Sequence, residues 1–150
     1  MVFQGEIKLS TQGFCDVEDI TSRVDEIVKK SKIKEGIVVI SVIGSTAGLT
    51  TIEAEPNLIE DFKDFWEKLI PRDKNYRHNQ TWGDPDLCRD PDFGRDDNGF
   101  SHLRASLLGP SLSLIIREGQ VFLGTWQQIV FVDFDNRPRE RKIVVEVVGE

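Results

Sequence analysis

The chain has 150 residues, of which 39% are hydrophobic and 30% charged, and a net charge of −7. That length suits one domain around one core, and the composition excludes a disordered chain. The acidic balance excludes a surface that grips nucleic acid throughout, because phosphate neutralisation needs Lys and Arg in excess on one face.

The opening segment alternates at Glu6-Ile7-Lys8-Leu9-Ser10, the period of a strand with one buried face, and Gln12-Gly13 turns the chain. From Val17 onward, Val17, Ile20, Val24, Ile27 and Val28 follow helical spacing. Asp16 is placed to cap that helix, Lys29, Lys30 and Lys32 suit the negative end of its dipole, and Glu35-Gly36 ends the unit. Ile37 to Ile43 is a near-continuous β-branched run, which predicts a strand at the centre of the sheet covered on both faces.

After the small residues Gly44-Ser45-Thr46-Ala47-Gly48, a strand-like pattern resumes over Leu49 to Glu53. Pro56 then opens an amphipathic helix at its favoured first-turn position. Leu58, Ile59, Phe62, Phe65, Trp66 and Leu69 are expected to face inward, and Pro71 stops the helix. From Arg72 to Gly99 apolar density falls, which predicts a long ordered loop pinned by Tyr76 and Trp82.

A short helix is expected over Phe100 to Leu108, closed by Gly109-Pro110 and anchored in the core by Leu103 and Leu107. The remainder reads as antiparallel hairpins: Ser111 to Ile116, a Glu118-Gly119 turn, Val121 to Leu123, Gln127 to Phe134, a turn over Asp135 to Pro138, and Lys142 to Val148. The fold class expected is α+β: a single domain over residues 1 to 150, a mostly antiparallel sheet system with two main helices and a short third. Strands from both chain ends share that system.

No apolar run approaches the ~20 residues that span a bilayer, and Met1 to Ile7 lacks the basic start and apolar stretch of a signal peptide. A cytoplasmic protein with no membrane partner is expected. Cys15 and Cys88 have no CxxC partner, so each is expected to be an isolated thiol. The Asp-rich stretch from Asp84 to Asp97 lacks the ligand spacing and terminal Glu of an EF-hand loop, and turn-forming solvated carboxylates explain it better.

The only two histidines, His78 and His102, fall in the irregular middle of the chain. Imidazole suits metal ligation and proton transfer near neutral pH, although a loop histidine is equally a surface hydrogen-bonding group. On a helix, His102 and Ser106 share one face, so that element can anchor itself and still present His102 to a cleft.

The run Phe100-Ser101-His102-Leu103-Arg104-Ala105-Ser106-Leu107-Leu108-Gly109-Pro110-Ser111, followed by Leu123-Gly124-Thr125-Trp126-Gln127, resembles the signature of the YjbQ family, the secondary thiamine-phosphate synthase proteins. Ser45 to Glu53 resembles that family's first motif, Tyr76-Arg77-His78-Asn79 its upstream histidine motif, and Asp133 to Arg141 its ending. One departure stands out: many relatives begin the first motif with histidine, where this chain has Gly44.

The resemblance implies a trimeric α+β domain that joins a pyrimidine pyrophosphate to a thiazole phosphate, weakly, with loss of pyrophosphate. Such chemistry needs cations for diphosphate and a flat surface for a heterocycle. His102, His78 and Arg104 are the catalytic candidates. Ser45, Thr46, Arg139, Arg141 and Arg104 are candidate phosphate donors, and Trp126 or Tyr76 a stacking surface. Glu53, His78 and His102 are the implied ligands of a divalent metal, zinc or magnesium.

Plainer roles compete: a helix-start carboxylate for Glu53, a solvated strand face for Arg139 and Arg141, and core packing for Trp126. The expected partners are a small phosphorylated molecule and two further copies of the chain. The alternatives are a non-catalytic oligomeric protein that binds a metal or phosphometabolite, and a structural trimer with a polar centre.

Overall fold

The two ends of the chain lie side by side, and the rest of the fold is arranged around that pairing. The computed structural model describes residues 1–81, 84, 86, 87 and 95–150. In chain order the elements are β1 (Val2–Thr11), β2 (Asp16–Asp19), α1 (Thr21–Ser31), β3 (Gly36–Val42), β4 (Ala47–Ile52), α2 (Pro56–Leu69), a 3₁₀ turn (Arg77–Gln80), α3 (Gly99–Leu108), β5 (Ser111–Arg117), β6 (Gln120–Val121), β7 (Gln128–Asp133) and β8 (Arg139–Gly149). Strand β1 pairs antiparallel with β8 from Val2↔Val148 to Thr11↔Arg139. One sheet has the order β1-β8-β3-β5-β6 and the other β2-β7-β4, and every pairing among the described residues is antiparallel. The expected α+β domain with a mostly antiparallel sheet system and three helices is the fold observed.

The inner face of the five-stranded sheet packs Ile7, Val38, Ile40, Ile143 and Val145 against Val24, Ile27 and Val28 of α1 and against Ile129 and Phe131 of β7. The other face of β7 sends Val130 and Val132 toward Trp66 of α2 and Ala105 of α3, with Cys15 and Phe134. Strand β7 is therefore covered on both sides. Strand β3 does hold the centre of the larger sheet, but its burial alternates: Val38, Ile40 and Val42 are buried while Ile37 is exposed. A β-branched run records strand propensity, and only the neighbouring layers decide how many faces are covered.

Several local expectations change for physical reasons. The segment Asp16–Asp19 is β2 rather than the first turn of a helix, paired from Asp16↔Asp133 to Asp19↔Val130. Phe14 and Cys15, at φ 54° and 66°, reverse the chain into that register. Asp16 accepts from the Gln12 N–H, and Asp19 accepts from the N–H and hydroxyl of Thr21 at the start of α1.

In α2 Trp66 is buried, whereas Phe65 is 53% exposed and Leu69 is also exposed. In α3 the anchor is Phe100, Ser101, Arg104 and Ala105, while Leu103 and Leu107 are 49% and 61% exposed. The Glu118-Gly119 turn does join β5 to β6, with both residues at positive φ. Strands β7 and β8, however, go to different sheets and form no hairpin. No described helix is long and apolar enough to cross a membrane.

Candidate functional site

The turn after β3, the 3₁₀ turn, the start of α3 and the return from β7 to β8 meet at one end of the two sheets. They enclose a pocket of about 320 Å³ lined by Gly44, Ser45, Thr46, His78, Asp96, Asn98, His102, Asp135, Arg139 and Arg141. The hydrogen bond from the Phe134 N–H to the Thr46 carbonyl ties two of these segments together, and the Ser101 hydroxyl donates to the Phe134 carbonyl. Gly44 has φ 154°, a conformation that L side chains rarely adopt, and a Cβ there would lie 3.1 Å from Arg141 Nη1.

Arg141 binds the fully buried Asp133 in bidentate fashion, Nε to Oδ2 at 2.7 Å and Nη2 to Oδ1 at 2.8 Å. Its Nη2 also donates to Thr46 Oγ1 at 2.7 Å, and that hydroxyl donates to Asp135 Oδ2 at 2.9 Å. Arg139 Nε reaches the same Asp135 oxygen at 2.9 Å, and Arg139 Nη2 reaches Asp96 at 3.4 Å. Arg137 approaches Asp96 at 3.4 Å as well. Among the described residues three arginines thus face three buried carboxylates, and these charge-assisted contacts tie the pocket's segments together.

Burial by itself raises the Asp135 pKa. The Asn136 N–H, the Thr46 hydroxyl, Arg139 and the Asn98 amide outweigh it, so the carboxyl sits below its ordinary value. The imidazoles of His78 and His102 stand edge to face, with centroids 4.7 Å apart. Burial is the largest influence on His102 and His78 the next, and both lower its pKa. Asp135, Asp96 and a hydrogen bond to the Ser45 main chain pull weakly the other way, so His102 is held below the ordinary imidazole value. The neutral imidazole therefore predominates at pH 7.

Six expected site residues therefore meet in one pocket: Ser45, Thr46, His78, His102, Arg139 and Arg141. Neither arginine sits on a solvated strand face. Four expected residues, Arg104, Glu53, Trp126 and Tyr76, do not line it. Arg104 is 2% exposed; its Nε donates to the Ile70 carbonyl and its Nη2 to Glu67 Oε2, both at 2.9 Å, with its guanidinium over the Phe100 ring. Glu53 is exposed just beyond the end of β4.

Trp126, 72% exposed in the segment between β6 and β7, neither lines the pocket nor packs in the core. Tyr76 donates to the Pro71 carbonyl and packs on Gly99. Trp82, Cys88 and much of the Asp-rich stretch lie outside the described residues. Cys15 is a buried free thiol, its pKa pushed up to about 11, chiefly by burial.

Among the described residues no group of three His, Cys, Asp or Glu side chains could hold a metal ion. His78 and His102 are close enough to supply two imidazole ligands, but Glu53 does not join them, and the arginines occupy the nearby carboxylates. The described residues of one chain fall short of the usual three protein ligands.

Four lining or supporting residues went unread as site residues in the sequence: Asp96, Asn98, Asp133 and Asp135. A signal for two of them was present. Asp133 and Asp135 mirror Arg139 and Arg141 at two-residue spacing across the turn, so like side chains share a side before and after the reversal.

Fold and pocket together define an α+β domain with a charge-balanced, histidine-bearing polar site. The family described as "UPF0047 protein YjbQ-like" matches residues 5–150, and the chain belongs to it. A UPF0047 protein of Archaeoglobus fulgidus is 34% identical over 143 residues, covering 95% of this chain and 99% of its own. One from Methanocaldococcus jannaschii is 34% identical over 151 residues, covering 100% and 96%. A solved YbjQ-like protein of unknown function from Sulfolobus solfataricus superimposes with a TM-score of 0.88 at 35% identity, covering 100% of this chain and 99% of that one. An uncharacterised family structure from Clostridium acetobutylicum gives 0.81 at 32% identity, covering 96% and 99%.

Proposed function

We propose that the pocket binds a small phosphorylated ligand and supports a weak thiamine-phosphate synthase reaction. In it, the ring nitrogen of a thiazole phosphate attacks the methylene of a pyrimidine pyrophosphate, and pyrophosphate leaves with the electron pair of the broken C–O bond. The observation that carries this reading is the placement of Arg139 and Arg141 beside His78 and His102 on one 320 Å³ pocket. Among the described residues, Nη1 of each arginine makes no hydrogen bond, which leaves donor edges for phosphate oxygens. His102 takes a proton from solvent water when the anionic diphosphate settles beside it, and the imidazolium then donates a hydrogen bond to the departing pyrophosphate, which needs no proton of its own to leave.

Zinc suits imidazole whereas magnesium takes oxygen ligands, so His78 and His102 would supply two ligands to a zinc ion whose remaining ligands would have to come from outside the described residues of one chain. The test is conversion of the two phosphorylated precursors by purified protein, followed by mass spectrometry of thiamine phosphate. His102→Ala is expected to remove the product; unchanged turnover in that variant sinks the catalytic assignment.

The charge balance of the pocket favours a second reading, a non-catalytic binder of a metal or phosphometabolite. Its arginines are already committed to carboxylates, which limits how much additional transition-state charge they stabilise. Thermal stabilisation by pyrophosphate without product under any metal selects this reading. Either way the unit proposed is a homotrimer, supported by the apolar side chains left exposed on α3 and on the outer face of β3 and β5, namely Leu103, Leu107, Ile37 and Ile115. Light scattering on the eluted peak measures the copy number.

A further inference from the structure

A second cleft, about 710 Å³, lies behind the pocket and shares its wall. At three places consecutive residues line opposite sides: His78, Asp96 and Asp135 border the pocket, while Asn79, Asp97 and Asn136 border the cleft. We propose that this cleft is a second binding compartment for a planar aromatic anion, a heterocycle carrying phosphate or carboxylate, seated between the Phe14 ring, Arg72 and Lys74.

Phe14 stands on the surface at 47% exposure although its backbone has φ 54°, a region that a bulky aromatic rarely occupies. The Phe14 N–H donates to the Asp135 carbonyl at 2.6 Å, so the residue whose carboxylate organises the pocket also fixes the ring that borders the cleft. The Arg72 guanidinium lies 5.0 Å over the Phe14 ring, whereas Phe100, 2% exposed and stacked under Arg104, borders the cleft without offering a free face. Flat faces with a stacked cation accept a π-system, and guanidinium with ammonium accept its anionic substituent.

The charges support an anion. Asp97 is paired with Arg95 at 2.9 Å, so of the described lining residues Arg72 and Lys74 face Asp73, and Glu67 lies close enough to Arg72 to accept its main-chain N–H. The volume falls within the range of small-molecule sites.

The inference rests on the proposed function only in giving the second phosphorylated reactant its own compartment; the binding claim stands alone. Calorimetric titration of the full chain uses phenyl phosphate for the cleft and inorganic pyrophosphate for the pocket. Phenyl phosphate is expected to bind about tenfold more tightly than inorganic phosphate. Phe14→Leu and Arg72→Gln are each expected to weaken it by about fivefold or more while leaving pyrophosphate binding within about twofold.

Arg139→Gln is expected to show the reverse pattern. Phenyl phosphate affinity that is unmoved by both cleft variants, or absent up to about 10 mM, overturns the second compartment. Loss of pyrophosphate binding alone overturns the pocket reading instead. Backbone NMR spectra of Phe14→Leu and Arg72→Gln confirm that both variants fold.

Discussion

Arg104 and Arg141 are both withdrawn from water beside a carboxylate, yet their surroundings differ in one respect. Arg104 is enclosed by the Phe100 and Phe134 rings, the Ile70 carbonyl and Glu67, so its contacts end within the wedge between α2 and α3. Arg141 donates to Thr46, shares Asp135 with Arg139 and keeps an edge toward open volume. Placing a cation in a protein interior requires a partner in either case. Only where the partner's network borders a cavity does the same chemistry become available to a ligand.

The largest effect expected is from Asp133→Ala, which strips Arg141 of its bidentate partner in a fully buried place. Loss of about 3–5 kcal/mol is expected by urea unfolding, and retention of wild-type stability would show that Arg141 finds another anion. Next, Arg104→Leu is expected to cost about 2 kcal/mol yet leave pyrophosphate affinity within about twofold, while Arg139→Gln lowers the affinity more than the stability. A common loss of affinity in both variants would erase the distinction between the two arginines.

The pH dependence distinguishes the two regions more gently. His102 has a lowered folded pKa, so its share of stability is complete above the unfolded value of about 6.5 and declines as pH falls below it. The carboxyl of Asp135 is also lowered, so its stabilisation is present above about 3.9 and is lost as pH falls further through its folded value. His102→Gln is expected to flatten the first decline and spare the second, read as unfolding midpoints from pH 7 to 3. The smallest effect belongs to Trp126→Ala, within about 0.5 kcal/mol for an isolated subunit; a larger change that depends on protein concentration would place Trp126 in a subunit contact.

The strands were legible where the side chains carry their own period. Glu6 to Ser10 and Ile37 to Val42 are strands because alternation and β-branching are local properties. Pro56 and Glu118-Gly119 likewise mark their helix start and turn through backbone constraints that need no partner. Helical spacing held for Val24, Ile27 and Val28 but misled at Val17, because pairing with β7 supplied hydrogen bonds that propensity could not weigh against. Leu103 and Leu107 misled similarly: their spacing shows that they share a face, not that the face is covered.

The residue types of the site were readable, since two histidines and a run of arginines in loop and turn contexts point to ligand chemistry without a fold. Which of them meet was not. Arg104 and Arg139 are indistinguishable as letters, and they part because α3 turns Arg104 onto Glu67 while the return into β8 turns Arg139 onto Asp135 and Asp96. By itself the sequence determined one α+β domain, its principal strands and helices, and its family likeness, all of which follow from short-range periodicity and ordered motifs. Tertiary structure alone decided which face of each element is covered, which arginine opens on a cavity, and that Asp133 and Asp135 organise it. Those outcomes depend on groups tens of residues apart arriving within hydrogen-bond distance, and such arrivals leave no period in the chain.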